Sequence, residues 1–363
     1  MKKILRRSFI ASAALITAVA FSTGSFAQQM PDPKDEAELY RLAKIEGELN
    51  WYQTSPLPPM QAVAGAFQKK YPGIKMQVLR LLGPQQYARF MQETQAKQHI
   101  ADVLFMGDYP SMVKLIKDGH IADWKVPTRD RVPEEFALEN FAYAPIITDI
   151  AIIYNVNKLT PEEVEILRSG WEGVLDPRFK GRFTVSTQKC GGCYATLHMF
   201  LDPKFKDRFG PEFVKKIAAQ KPAIFADFQV IIERVVAGEK DFTFWSAGAS
   251  AIERFERGQP IRWVQPSPTP AWGNSWMAVS KYAPHPAAAR LFQNWIMSED
   301  GARAMQDLYG SVTTLKGYPD TRAVTKQPWF QPMKEEYRMD WARWEQNFNK
   351  DMDFYINSLK EAQ

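Results

Sequence analysis

Leu49-Asn50-Trp51-Tyr52 begins the stretch that decides the fold, because this short apolar segment leads into the polar residues Gln53-Thr54-Ser55-Pro56. Met60 to Lys70 then carries apolar residues at helical spacing, which predicts a strand, a polar loop and a helix. Ile74 to Leu79 alternates as a second strand does. Strands that alternate with helices form a mostly parallel sheet, and ligands bind outside the carboxyl ends of such strands.

The same pattern occurs in two blocks of the chain. The predicted strands of the two blocks are 49–52, 74–79 and 101–106, then 146–154, 181–186 and 242–245. A strand over 276–279 leads the chain back to the first block in this interpretation, and the sequence from Pro286 onward is largely helical. The fold class is therefore α/β with a helical C-terminal region.

The first 27 residues have the three parts of a secretory signal peptide. A basic start is followed by an apolar run over 9–21 and by the small-x-small site Ser25-Phe26-Ala27. We expect export to the periplasm with cleavage near Ala27. Arg6-Arg7 also fits a twin-arginine signal, so the Sec route and the twin-arginine route both stay open. The apolar run is shorter than the ~20 residues that span a bilayer, so we expect no stable membrane insertion.

Length and charge limit the classes of function. The chain has 46 Lys and Arg against 41 Asp and Glu, and several basic residues belong to the predicted signal, so the mature chain is nearly neutral. Such a charge offers no electrostatic footprint for nucleic acid. The mature chain is longer than the ~250 to 300 residues at which one hydrophobic core stops growing, which predicts two lobes. The 11 Trp residues indicate a large core, an aromatic-lined cleft, or both.

Several segments carry a resemblance to a known family. They are Trp171 to Arg182, Val236-Ala237-Gly238-Glu239, Asn274 to Val279 and His285 to Phe292, together with Tyr309 to Thr314, which is similar to the segment that closes the site in that family. On these residues the chain resembles the ABC transporter solute-binding proteins of the ferric-ion-binding type, which also include binders of phosphorylated sugars, phosphonates, polyamines and thiamine.

The resemblance implies a two-lobed periplasmic binding protein fold of type II with two extended hinge crossovers. It places the ligand in the cleft and implies closure by hinge bending. We predict a signal peptide over 1–27, a first lobe of 28–145 plus 276–363, and a second lobe of 146–275. The predicted hinges are the segments around 146–150 and 266–276.

The ferric members of the family bind the metal through a neighbouring pair of tyrosines from the second lobe, because phenolate oxygen suits a hard cation. Here the corresponding strand reads Phe244-Trp245-Ser246-Ala247, without such a pair. This departure from the family pattern disfavours direct binding of bare ferric ion. A ferric ion or ferric chelate held by scattered tyrosines and a synergistic anion remains an alternative.

Four loops that end predicted strands are rich in small hydroxyl, amide and glycine residues. They are Gln53-Thr54-Ser55, Gly107-Asp108, Ser186-Thr187-Gln188 and Ser246-Ala247-Gly248. Backbone N–H groups at helix N-termini bind carboxylates and phosphates without a cationic side chain. We therefore predict a small organic anion as ligand, such as a carboxylate, phosphonate or sugar phosphate. The alternative is that these residues only cap helices and form turns.

Aromatic and crossover residues complete the predicted site. Aromatic rings offer flat apolar walls for a ligand with a ring, and those in or beside the four loops are Tyr52, Tyr109, Tyr143, Trp245 and Trp272. The alternative, which is favoured for each residue taken singly, is packing inside a lobe or hinge. At the crossovers, Asn274 and Thr148-Asp149 are candidate ligand contacts, and Thr148-Asp149 is alternatively a cap of the turn there.

Cys190-Gly191-Gly192-Cys193 contains both cysteines of the chain. In an exported protein a disulfide is the expected state, and here it rigidifies a loop at the mouth of the cleft. The same spacing occurs in thiol oxidoreductases, where it opens the first helix of a compact domain. That alternative class stays open, although the motif lies in the middle of a much larger chain.

No other motif points to catalysis. The four histidines lie far apart without metal-ligand spacing, and nucleophile elbows and phosphate-binding loops are absent from the sequence. We therefore expect a monomeric binding protein and not an enzyme, with no cofactor and no metal. Its expected partners are an anionic small-molecule solute and the membrane permease of an ABC importer.

Overall fold

The computed structural model describes Asp32, Lys34 to Lys189 and Tyr194 to Gln363. The helices are α1 (Glu36–Glu46), α2 (Leu57–Lys70), α3 (Gly83–Gln95), α4 (Tyr109–Lys117), α5 (Pro161–Ser169), α6 (Ala195–Phe200), α7 (Pro211–Ala219), α8 (Phe228–Val236), α9 (Gly248–Glu256), α10 (Pro286–Ile296), α11 (Glu299–Tyr309) and α12 (Trp341–Glu361). The strands are β1 (Glu48–Gln53), β2 (Lys75–Arg80), β3 (Val103–Met106), β4 (Ala137–Leu138), β5 (Ala142–Tyr143), β6 (Ile146–Asn155), β7 (Phe183–Ser186), β8 (Ala223–Phe225), β9 (Phe242–Thr243), β10 (Ser246–Ala247), β11 (Ile261–Val264), β12 (Thr269–Asn274), β13 (Trp276–Val279), β14 (Val312–Thr313) and β15 (Glu336–Arg338).

The first sheet has the strand order β2-β1-β3-β13-β5-β4. Strand β1 is parallel to both β2 and β3, as the alternation of strand and helix predicts. Trp51 of β1 is buried and its ring lies 5.0 Å from that of Phe292 in α10. Because β1, β2 and β3 run in parallel, the loops after Gln53, Arg80 and Met106 emerge at one edge of this sheet.

The second sheet has the order β15-β12-β6-β9-β7-β8, and β10, β11 and β14 also pair with β6. Strand β6 is buried along its whole length, which fits its nearly continuous apolar sequence. The predicted strand over 242–245 is divided into β9 and β10. The physical reason is that the consecutive residues Phe244 and Trp245 both pack into one aromatic cluster, whereas consecutive residues of a regular strand point to opposite faces.

The chain passes between the two sheets at three points in the described residues. Ala144-Pro145 connects β5 to β6, and Ser275 connects β12 to β13. These two crossings confirm the two extended crossovers that the fold class implies. The third crossing lies at Gly310-Ser311, between α11 and β14. Helix α11 packs on α2 and α10, whereas β14 pairs with β6. Ser275 adopts a φ of 61°, which is uncommon for a residue with a side chain.

The predicted lobe boundaries at 145/146 and 275/276 stay a prediction. Helices α10 and α11 pack against α1 and α2 of the first sheet's layer. Helix α12, in contrast, packs against α6 and α7 of the second sheet's layer, where Met352, Tyr355 and Leu359 join the buried cluster. The C-terminal region is helical as predicted, and it returns to the second sheet.

The predicted signal peptide over 1–27 and the predicted disulfide between Cys190 and Cys193 lie outside the described residues. In the part of the chain that is described, no helix has the length and apolar character needed to cross a membrane.

Candidate functional site

The end of β1 meets the crossing between β12 and β13. Gln53, the last residue of β1, is fully buried, and neither its amide oxygen nor its amide nitrogen has a hydrogen-bond partner. The next residue, Thr54, has its Oγ1 3.4 Å from Oγ of Ser275. Because Ser275 links the two sheets, the predicted loop Gln53-Thr54-Ser55 lies at the border between the lobes.

A cationic side chain that sequence reasoning missed lies at the same edge. Arg80, the last residue of β2, donates a hydrogen bond from Nε to the carbonyl oxygen of Ser55 at 3.0 Å. Arg80 is exposed and takes part in none of the ion pairs of the described residues. The Ser55 side chain also hydrogen-bonds Tyr309, the pKa of which is raised mainly by burial. Tyr309 belongs to the segment that resembles the closing segment of the family.

A second buried glutamine lies close by in the chain. Gln86, in the first turn of α3, is fully buried, and both polar atoms of its amide lack a partner. Sequence reasoning did not select Gln86 as a site residue, and the structure places it in α3, which begins at Gly83. The signal that finds it is Gly83-Pro84, since Pro is common at the start of a helix.

The N-termini of α2 and α3 are free of side-chain caps. The N-cap residues are Pro56 for α2 and Leu82 for α3, and neither side chain accepts a hydrogen bond. The first backbone N–H groups of both helices therefore keep their partial positive charge. Helix α2 begins four residues after Gln53, and α3, which contains Gln86, begins three residues after Arg80. This edge of the first sheet therefore combines hydrogen-bonding amides with positive charge.

The carboxylate of Asp149 lies at the start of α9 on the second sheet. It is 5% exposed and accepts a hydrogen bond from Nε2 of Gln265. Burial raises the pKa of Asp149, against the lowering effect of the nearby Arg322. A Cβ on Gly248, the first residue of α9, would collide with Oδ2 of Asp149. The protein therefore places its own carboxylate against the N-terminus of this helix, and Thr148 is buried beside it.

Two hydroxyl groups beside β6 lack partners. Ser246, which pairs with Ala151 of β6, is 1% exposed, and Ser311, which precedes β14, is 3% exposed. Neither Oγ has a hydrogen-bond partner. Together with Gln53 and Gln86, these hydroxyls are among the buried polar groups of the described residues that the protein itself leaves unpaired.

Other predicted site residues are used as helix caps. The carboxylate of Asp108 accepts hydrogen bonds from N and Oγ of Ser111, the latter at 2.7 Å, and so caps α4. Oε1 of Gln188 accepts from N of Phe228 at 3.1 Å, at the start of α8.

The remaining loop residues also find partners within the protein. Oγ of Ser186 accepts from N of Gln188 at 3.1 Å, and Oγ1 of Thr187 donates to the carbonyl oxygen of Phe225 at 3.4 Å. Gly107 is exposed. The capping alternative thus describes the loops 107–108 and 186–188 in this structure, and their role as ligand contacts stays a prediction.

The predicted aromatic walls are mostly packed inside the lobes. Trp245 is 2% exposed and lies 5.2 Å from Tyr355 and 5.1 Å from Phe244, centroid to centroid. The hydroxyl of Tyr52 donates to Glu93 at 2.8 Å, and burial raises the pKa of Tyr52 to about 12.

Tyr143 is fully buried, and its hydroxyl donates to the carbonyl oxygen of Trp124 at 3.1 Å. Trp272 and Asn274 occupy β12 opposite Thr148 and Ile146, and their side chains lie outside the description. Tyr109 lines a cavity between the two sheets.

Side chains that bind metals do not cluster in the described part of the chain. Within Asp32, 34–189 and 194–363, no cluster of three or more His, Cys, Asp or Glu side chains is able to hold a metal ion. The predicted metal alternative therefore depends on tyrosines or on a chelating anion.

Two sheets with their packed helices, joined by the crossings at 144–145 and 275, define a two-lobed α/β fold. A family profile described as bacterial extracellular solute-binding protein matches residues 62–332. The chain belongs to this family of bacterial extracellular solute-binding proteins, a family of binding proteins and not an enzyme class. A comparison with curated protein sequences found no match.

Solved structures share the fold at low sequence identity. The substrate-binding protein of an ABC transporter from Agrobacterium tumefaciens is 20% identical, with a TM-score of 0.68 over 86% of this chain and 94% of that one. Iron-bound HitA from Pseudomonas aeruginosa is 19% identical, with a TM-score of 0.62 over 87% and 98%. The Trichodesmium protein IdiA (FutA), in complex with iron and citrate, is 18% identical, with a TM-score of 0.64 over 86% and 99%. These likenesses confirm the two-lobed α/β fold.

Proposed function

We propose that this solute-binding protein is the periplasmic substrate-binding component of an ABC importer and captures a small organic anion by closure of its two lobes. The observation that carries the proposal is the pair of buried, unpaired amides of Gln53 and Gln86, of which Gln53 lies opposite Arg80 in the first sheet. A buried polar group without a partner costs about 1 to 3 kcal/mol. A ligand that pairs with these amides recovers that free energy, which is a reason for the protein to retain them.

The anionic group of the solute belongs at the ends of β1 and β2. Arg80 supplies a cation without a carboxylate partner in the described ion pairs, and α2 and α3 present uncapped N-termini. The N-termini of α4 and α9 already face the carboxylates of Asp108 and Asp149. Like charges repel, so those two helix ends are poor sites for a second anion.

The unpaired amides favour an organic solute over a simple inorganic anion. Each glutamine presents an acceptor oxygen as well as a donor nitrogen, and an anion without hydrogens satisfies only the donors. The hydroxyls of Ser246 and Ser311 donate or accept. A solute with both hydroxyl groups and an anionic group, such as a hydroxy acid or a sugar phosphate, matches this set.

The test is a thermal-shift screen followed by titration calorimetry. The panel contains carboxylates, aromatic acids, organophosphates, polyamines, sugars and ferric citrate. A solute at about 1,000 times its Kd adds roughly 4 kcal/mol to the free energy of unfolding and raises Tm by several degrees. If no member shifts Tm and denatured protein releases no small molecule, the proposal fails.

For an anion found in this way, Arg80→Gln should weaken binding roughly 10- to 100-fold, because a charge-assisted hydrogen bond contributes about 1.5 to 3 kcal/mol. Arg262→Gln is the matched control, since Arg262 is an exposed arginine that lies over the ring of Trp329 in the second lobe. Equal affinity of the two variants would contradict the placement of the anion at Arg80.

A ferric chelate is the second candidate solute, favoured by the fold shared with two iron-bound proteins. Ferric citrate carries carboxylates and a hydroxyl group, so it also suits the amides and Arg80. Binding would raise Tm in the same screen, and any tyrosine bound to the iron would add a visible absorption band that a chelator removes. A colourless protein with no shift from ferric citrate would contradict this candidate.

A further inference from the structure

A cavity of about 190 Å³ lies where residues of the first sheet's layer face residues of the second. Tyr109, Phe136 and Trp276 line it from the first side, and Arg338 and Trp341 line it from the second. An engineered cavity of about 150 Å³ holds benzene, so this space suits one substituted six-membered ring. It adjoins the candidate site, because Trp276 follows Ser275 directly and Tyr109 follows Asp108.

The walls of the cavity are flat and rigid. The rings of Tyr109 and Trp341 stack at 4.6 Å with an angle of 15° between their planes, and Tyr109 lies 5.4 Å from Trp276. The guanidinium of Arg338 lies 4.6 Å from the ring centre of Phe136. Aromatic faces of this kind favour a flat ligand, since offset stacked or edge-to-face rings gain about 0.5 to 1.5 kcal/mol beyond their buried area.

Two hydrogen-bond donors of the lining lack acceptors. Trp276 is 2% exposed, and its indole N–H has no partner. Nη1 of Arg338 is also buried without a partner, while its Nη2 pairs with Glu336. An indole and a guanidinium have no acceptor atoms. The occupant therefore has to supply an acceptor, such as a carbonyl oxygen.

The charges around the cavity disfavour a second negative charge on that ring. Glu134 is paired with Arg129 at 2.6 Å, and Arg338 is paired with Glu336. Glu135, which also lines the cavity, forms none of the ion pairs found in the described residues. The charge of Glu135 acts on the guanidinium of Arg338. The lining residues together carry two carboxylates, Glu134 and Glu135, against that one guanidinium, which suits an uncharged ring better than an anion.

We propose that this cavity binds the uncharged end of the solute, a single aromatic ring that carries a carbonyl oxygen, with the oxygen bound by the indole N–H of Trp276 and by Arg338. The inference rests on the proposed function, because it names the ring-bearing part of the same solute. The anionic part of the same solute lies at Arg80. Ser275 connects the two parts of the site, because it precedes Trp276 and its hydroxyl is 3.4 Å from that of Thr54 at the end of β1.

The experiment uses 4-fluorobenzamide as the probe and follows its ¹⁹F NMR signal in titrations of the purified protein. We expect saturable binding, and competition by benzamide but not by cyclohexanecarboxamide, which keeps the carbonyl oxygen and loses the flat ring. Trp276→Phe should weaken binding roughly two- to tenfold, as the loss of one hydrogen bond does. Trp51→Phe is the matched control, since Trp51 is 1% exposed and also has an unpaired indole N–H, but packs against α10 away from the cavity.

Absence of saturable binding, or equal affinities of the Trp276→Phe and Trp51→Phe variants, would overturn the inference. Equal competition by cyclohexanecarboxamide would also overturn the inference, because the aromatic walls would then not distinguish a flat ring from a saturated one. These failures are distinct from failure of the proposed function. If the thermal-shift screen identifies an anionic solute without a ring while the benzamide probe does not bind, the proposed function stands and the ring site does not.

Discussion

The strand ends of the first and second sheets have similar sequences and different hydrogen bonding. At the end of β1 and in the helix that follows β2, the amides of Gln53 and Gln86 are buried and unpaired. After β7, the amide oxygen of Gln188 accepts from N of Phe228 and its backbone N–H donates to Ser186. Amide and hydroxyl residues after a strand are therefore not sufficient to define a binding site. The distinguishing feature is whether the protein supplies the hydrogen-bond partners itself.

This difference in hydrogen bonding affects the stability of the fold. A paired cap stabilises its helix by about 1 kcal/mol, whereas a buried unpaired amide destabilises the fold by a similar or larger amount. Proteins depart from locally favourable choices mainly at functional or strained sites. Gln53 and Gln86 at the first sheet's edge are such departures, whereas the loop 186–188 at the end of β7 contributes mostly to stability.

The largest expected effect concerns Trp245, for which the sequence predicted stacking against the ligand. Because Trp245 is 2% exposed and packs against Phe200, Phe244 and Tyr355, Trp245→Ala should lower the free energy of unfolding by about 3 to 5 kcal/mol. Urea denaturation measures this change. A variant that unfolds like the wild type but binds the solute tenfold more weakly would restore Trp245 to the site and remove the contrast between the two regions.

The second effect concerns the pH dependence of stability in the second sheet's layer. His198 is fully buried with Nδ1 2.7 Å from the hydroxyl of Tyr337. Burial, aided by the charge of Arg343, lowers the pKa of His198 from 6.5 to about 4. Between these values the unfolded chain binds a proton that the folded protein does not, so stability is complete above pH 6.5 and falls as the pH drops towards 4.

For a shift of this size the loss is about 3 kcal/mol. His198→Gln removes the titrating group. The free energy of unfolding of this variant should therefore fall less between pH 7 and pH 4 than that of the wild type. Urea denaturation at several pH values measures the two slopes, and the difference between them cancels the other groups that titrate in this range. Parallel slopes would show that His198 accepts a proton in the folded state.

The sequence predicted the fold well because hydrophobic periodicity determines it. The alternation around β1 and β2 predicted the parallel pairing that the structure confirms, and Trp276 to Val279 was placed correctly as a strand of the first sheet. The limits are physical too. Whether Gln53 or Gln188 has a partner depends on residues far apart in the chain, and no local pattern encodes that.

The same reasoning explains why the sequence predicted neither the packing of α12 on the second sheet nor the role of Arg80. Helix α12 returns to the second sheet because its buried residues complete an aromatic cluster there, and periodicity does not say which sheet an apolar helix face will cover. Arg80 ends a strand that alternates regularly, so as a sequence feature it is an ordinary exposed strand residue. Its significance comes only from the carbonyl oxygen of Ser55 and the absence of an ion pair.

The smallest expected effect is the most direct test of the comparison, because one substitution is made in both regions. Gln86→Met removes a buried unpaired amide, so it should raise the free energy of unfolding by about 1 kcal/mol while weakening solute binding. Gln188→Met removes the acceptor for N of Phe228, so it should lower the free energy of unfolding by about 1 kcal/mol and leave affinity unchanged. Urea denaturation and calorimetry on both variants measure the two quantities. Changes of the same sign in stability would mean that Gln86 finds a partner in the folded protein, and the first sheet's edge would then be a capping region like the second.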